Sequence, residues 1–157
     1  MFYADRGQIS AWDGEYFARK GALKVKIIWE NHKVDLVVTH LVAESQDLWR
    51  TADLNKNTRQ KQIMELLQFV NNSCDDSDFV VLGGDFNFGV TDDSYKFVLE
   101  NDFFDTGAET KDRVTWGHPE NTWGNSPAYL IDYVFVKSNR DDLNVQGSSI
   151  IPEKAFQ

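Results

Sequence analysis

What the chain lacks narrows its chemistry first. It has one cysteine, Cys74, so no intrachain disulfide can form and the fold does not depend on an oxidising compartment. It has three prolines and no Pro-rich linker, internal repeat or low-complexity tract, which favours one domain or a piece of one. No apolar run reaches the length of a membrane span, and residues 1–6 lack the apolar core of a signal peptide. The sequon at Asn71-Asn72-Ser73 carries no weight, because chance matches are common.

An excess of basic charge is also missing. Sixteen Lys and Arg stand against 25 Asp and Glu, a net charge of −9. Proteins that grip a nucleic-acid backbone draw affinity from neutralised phosphates, so nucleic acid is not the expected partner, although a local basic patch stays compatible. An acidic domain still holds a phosphoester if a cation sits between the two. There is no P-loop, GxSxG, HExxH or CxxC, which removes the usual nucleotide, serine-hydrolase and zinc readings.

What is present is a globular pattern. The apolar fraction is 41% over 157 residues, enough for a real core. Leu23, Val25, Ile27 and Trp29 alternate as a half-buried strand. Residues 30–33 read as a turn and 34–40 as a second strand, together an antiparallel hairpin. A polar stretch leads into a helix over 58–71, with Ile63, Leu66, Leu67 and Val70 on one face. Strands are expected at 79–83 and 128–137, a short helix over 91–100, and long loops from 105 to 127. A further strand would begin at 143–145. Helices interleave with strands, yet one strand pair is a hairpin, so the fold class is α+β with a mixed sheet.

The stretch DFVVLGGDFNFG, residues 78–89, ends an apolar strand with Asp85 and Asn87. In extended chain such residues share a face, roughly 6.5–7 Å apart. A carboxylate and a carboxamide there can share a cation and its phosphate ligand. Gly, Asp and Asn are also turn formers, and composition alone reads as a turn before it reads as a site. His40 shifts the balance. It ends the second strand on the face of Val34, Leu36 and Val38, and sites gather at strand ends. His32 reads as an exposed turn residue and His118 as a surface loop residue. Asp132, an acid inside the apolar strand LIDYVFV, reads as a buried hydrogen-bond hub or an orienter of the site, with the hub preferred.

In order, Thr39-His40, the helix, Gly84-Asp85-Phe86-Asn87 and Ile131-Asp132-Tyr133 resemble the TH, GDxN and IDY elements of the endonuclease/exonuclease/phosphatase superfamily. THLVAES, TRQKQIMELLQFVNN and EYFARKGALKVKI are similar to segments of the neutral sphingomyelinases within it. The resemblance implies part of a four-layer α/β/β/α sandwich, DNase I-like, with mixed and largely antiparallel sheets. It implies Mg²⁺-dependent hydrolysis of sphingomyelin to ceramide and phosphocholine. Asp85 would bind the metal, and Asp85 and Asn87 would contact phosphate and orient water. His40 would donate to the phosphoryl or leaving oxygen. Lys20 would contact phosphate or substrate, gated by Glu15, where the family more often has Asp.

The resemblance also implies a phospholipid substrate and an intracellular enzyme that is either soluble or attached to a membrane surface through segments outside this chain. The family's early metal-ligand Glu and its Ser-Asp-His element have no counterpart here. Residues 1–157 are therefore expected to be one domain truncated at both ends, inactive or poorly stable alone, with apolar sheet surface uncovered. A nuclease or inositol-phosphate phosphatase on the same scaffold, or a non-catalytic remnant, are the alternatives.

Overall fold

The computed structural model describes residues 1–5, 19–44, 55–110, 113–117 and 128–140. Seven elements follow in order: β1 (Ala22–Trp29), β2 (His32–His40), α1 (Lys56–Ser73), β3 (Phe79–Asp85), α2 (Asp93–Glu100), β4 (Phe104–Asp105) and β5 (Asp132–Ser138). Among the described residues the strands form one sheet in the order β1-β2-β3-β5-β4. β2 and β3 are parallel, joined through α1, and every other pair is antiparallel. The fold is α+β with a mixed, largely antiparallel sheet, as the sequence implied.

The β1–β2 hairpin is tighter than the four-residue turn expected. Glu30 and Asn31 alone make it, both with positive φ (48° and 71°), the conformation that a two-residue loop needs to match strand twist. His32 therefore does not lie in a turn. It opens β2 half-buried, its ring edge-on to Phe79 at 5.5 Å.

α1 begins and ends slightly outside the expected bounds, and it buries the expected Ile63, Leu66, Leu67 and Val70. Each such side chain contributes roughly 1.5–3 kcal/mol of burial. α2 starts at Asp93 because the carboxylate of Asp92 accepts the Ser94 N–H (2.8 Å) and caps the helix. The expected strand at 143–145, together with Glu15 and His118, lies outside the described residues.

Alternation gives the sheet two unlike faces. Val37, Thr39, Val80, Leu82, Tyr133 and Phe135 point one way into a core completed by both helices. The other face carries Leu23, Val25, Ile27, Trp29, Val38, Phe104 and Val134, all exposed, with Leu23 and Trp29 at 67%. Register places His40 opposite Asp85 and Asp85 opposite Asp132. The exposed apolar face therefore ends in one polar row across β2, β3 and β5.

Candidate active site

The GDFN stretch is held from within. Phe86 is fully buried, edge-on to Phe135 at 5.2 Å and close to Phe88 and Tyr133. The aromatic between the acid and the amide is thus an anchor that pins the loop to the core. Gly84 (φ +137°) lies so close to Thr39 that a Cβ would overlap the Thr39 carbonyl oxygen. Two motifs far apart in sequence touch through their backbones at that point.

Asp85 and Asn87 do not share a strand face. β3 stops at Asp85, and Asn87 has φ +52°. Asp85 Oδ1 accepts the Asn87 backbone N–H at 2.9 Å, a turn closed by the acid's own side chain. Turn and site are the same object here. The turn aims the Asn87 amide back at β2, where Nδ2 donates to the Leu41 carbonyl (3.0 Å), while Leu41 N–H donates to the Asp85 carbonyl (2.9 Å). The neutral carboxamide oxygen is the end of Asn87 available to a ligand.

His40 and Asp85 come together as expected, with Nε2 to Oδ2 at 3.5 Å. Lys20 joins them: its Nζ lies 2.9 Å from His40 Nε2. Lys20 is placed by the N-terminal segment, whose Tyr3 N–H donates to the Lys20 carbonyl (3.1 Å). Burial pushes the Asp85 carboxyl above its ordinary range, and the charge of Asp132 pushes the same way. The Asn87 N–H, His40 and Lys20 pull it back down.

Asp132 departs from the expectation of a buried hub. β5 starts at Asp132 rather than at 128, so the acid is the strand's first residue, is exposed, and stands beside Asp85. Strand propensity in AYLIDYVFV hides this start, because residues 128–130 are apolar yet precede β5, with Tyr129 in a separate bridge to Trp116. Thr39, which the sequence marked as the first residue of the TH element without a role of its own, is a brace. Its hydroxyl donates to the Gly21 carbonyl (3.1 Å) and pairs with Tyr3 Oη, fastening the strand end that carries His40.

Two neighbouring carboxylates, one with raised proton affinity, offer hard oxygen donors to a divalent cation. Mg²⁺ binds one or two carboxylates and fills its shell with water and phosphate oxygens, so this donor chemistry fits it. Among the described residues no group of three or more His, Cys, Asp or Glu is disposed around a common point, so the protein's share of such a shell is partial.

A family model described as Endonuclease/Exonuclease/phosphatase family 2 matches residues 4–110. The chain belongs to that family. Members of the superfamily are hydrolases that act on phosphoester bonds, and the polar row of this family member lies at its sheet end. The chain is similar in fold to a beta-hairpin deletion mutant of beta toxin from Staphylococcus aureus (TM-score 0.69, 22% identity, 94% of this chain and 53% of that one). Beta toxin is also matched in a form with bound magnesium ions (TM-score 0.53, 21% identity, 76% and 42%). Sphingomyelinase C from Streptomyces griseocarneus is similar too (TM-score 0.56, 22% identity, 87% and 47%). So is a humanized D. rerio TDP2 (TM-score 0.58, 21% identity, 76% and 46%). The chain spans about half the length of these solved structures. No curated protein sequence matches it.

Proposed function

We propose that this family member is a Mg²⁺-dependent phosphodiesterase that hydrolyses sphingomyelin to ceramide and phosphocholine. The observation that carries the reading is the polar row His40–Asp85–Asp132, flanked by Lys20 and Asn87 at one end of the sheet. The fold likeness to a sphingomyelinase C and to a magnesium-bound beta toxin supports the lipid substrate and the ion. The charge of −9 supports a lipid over a polynucleotide.

In this proposal the side chains divide the work by chemistry. Lys20 leaves His40 and places its ammonium on a non-bridging phosphoryl oxygen. His40, relieved of Lys20, takes a proton from solvent at Nε2 and donates it to the phosphoryl or leaving oxygen as the P–O bond to the leaving group breaks, while the attacking water bonds to phosphorus and releases its proton to solvent. Asp85 and Asp132 provide anionic oxygens for magnesium, which when bound neutralises charge on the phosphoryl group. The Asn87 carboxamide oxygen orients the attacking water in line with the leaving group.

The same proposal takes residues 1–157 as part of a single domain, supported by the exposed apolar face and by the half-length match.

The test is phosphocholine release from sphingomyelin vesicles with Mg²⁺, using a protein that carries the whole domain around this chain, and its Asp85→Ala and His40→Ala variants. Release that both variants abolish supports the proposal. Cleavage of abasic or end-blocked DNA with no sphingomyelin turnover would replace it with a nuclease. Binding without turnover of either substrate would point to a non-catalytic protein.

A further inference from the structure

Ile131 joins the two acids of the polar row through its backbone. Its carbonyl accepts the N–H of Phe86, the residue between Asp85 and Asn87 (2.8 Å). Its own N–H donates to the hydroxyl of Thr115 (3.1 Å), and the N–H of Asp132 donates to the same oxygen at the same distance. Thr115 Oγ1 thus accepts two consecutive N–H groups where β5 begins. A hydroxyl oxygen has two acceptor sites, and this geometry uses both.

The hydroxyl sits on a braced segment. Thr115 N–H and Trp116 N–H both donate to the Tyr129 carbonyl (2.9 and 3.0 Å), and Tyr129 N–H donates back to Trp116 (2.8 Å). Two residues earlier, Arg113 makes a two-pronged ion pair with the buried Asp105 (2.7 and 3.0 Å) and lies over the Tyr133 ring at 5.6 Å. A group held this firmly can set the position of what it binds.

We propose that Thr115 is a positioning residue for the Asp85–Asp132 pair. Its hydroxyl sets where β5 starts and so how far Asp132 stands along the sheet from Asp85. In this proposal Thr115 acts through the backbone of β5 and not on substrate or ion. The inference rests on the phosphodiesterase reading above and adds a residue that no motif marks. Valine keeps the shape and the strand preference but accepts nothing, leaving both N–H groups without their partner. Serine keeps the acceptor.

The experiment compares wild type, Thr115→Val, Thr115→Ser and Asp85→Ala in a protein that carries the whole domain around this chain, by phosphocholine release with Mg²⁺ and by amide hydrogen exchange at Ile131 and Asp132. Thr115→Val is expected to lower kcat about a hundredfold, as a small misplacement of reacting groups does, with KM nearly unchanged. Thr115→Ser should recover most of that loss. Exchange at both amides should quicken in the valine variant and not in the serine variant. Unchanged kcat and exchange in Thr115→Val overturns the inference while leaving the phosphodiesterase reading intact. Equal losses in valine and serine variants also overturn it. Activity that survives Asp85→Ala, or no turnover by wild type, instead brings down the reading itself and the inference with it.

Discussion

Gly84 and Thr39 lie side by side on β3 and β2, and the Thr39 carbonyl occupies the space where a Gly84 side chain would begin. Gly84 also has φ +137°, a region that only glycine enters freely. Gly84→Ala should therefore lose at least ~1–3 kcal/mol of stability and separate His40 from Asp85. Urea denaturation together with the His40 imidazole NMR signals checks both effects. A stable variant with unmoved signals would contradict the contact.

Asn87 separates turn from chemistry. Asn87→Gly keeps the positive φ (52°) while removing the amide that ties to Leu41. Stability should fall by only about 1 kcal/mol for the lost hydrogen bond. Phosphodiester cleavage should fall about a hundredfold, the usual cost of removing one positioned polar group. Parallel thermal melts and phosphocholine assays read the two numbers independently.

Asp35 governs acid stability. It is fully buried between β1 and the end of α1, with the Lys24 ammonium at 3.3 Å and the Ser77 hydroxyl donating to it. Burial alone would raise its pKa, but the hydroxyl and the ammonium outweigh burial and hold it below the ordinary carboxylate value. A depressed carboxyl stabilises the fold above its unfolded pKa, and that contribution drains away as pH falls through the folded value. Urea midpoints should drop as pH falls below the ordinary carboxylate range, and Asp35→Asn should flatten that dependence while lowering stability at neutral pH.

The Arg113–Asp105 pair should be costly to break. The Arg113 side chain is 12% exposed and that of Asp105 1%, and Tyr95 Oη also donates to Asp105 (3.0 Å). Removing one partner strands a buried charge, so Arg113→Ala should cost about 3–5 kcal/mol. Removing both, as Arg113→Met with Asp105→Leu, should cost less than the single change. Chemical denaturation of the three variants decides.

The two sheet faces predict opposite tolerances. Leu82→Ala empties a core position and should cost about 2–5 kcal/mol. Leu23→Thr, on the exposed face, should stay within about 0.5 kcal/mol. Equal costs would mean that the outer face is covered.

Much of the fold was legible because its signals are local. Period-two alternation marked β1 and β2, and the spacing of Ile63, Leu66, Leu67 and Val70 marked α1. The candidate residues were legible by type, and the structure places His40, Asp85, Asn87 and Lys20 near one another at the sheet end. The places that misled were those where apolar content does not define a boundary. Tyr129 and Leu130 look like strand but precede it, so Asp132 moved from the middle of β5 to its exposed start. His32 looked like turn because it lies in the polar run Glu30-Asn31-His32-Lys33, but a two-residue loop leaves no room for it there.

By itself the sequence determined the element types, the apolar faces and the chemical identity of the candidate site, since each depends on residues near one another in the chain. The tertiary structure alone decided that Asp85 and Asn87 close a turn rather than share a strand. It alone set His40, Asp85 and Asp132 in one row and brought Thr115 to the start of β5. Those facts are matters of register between distant strands. A shift of one residue would turn every side chain of a strand to the other face, and only hydrogen bonds across the sheet select the register that holds.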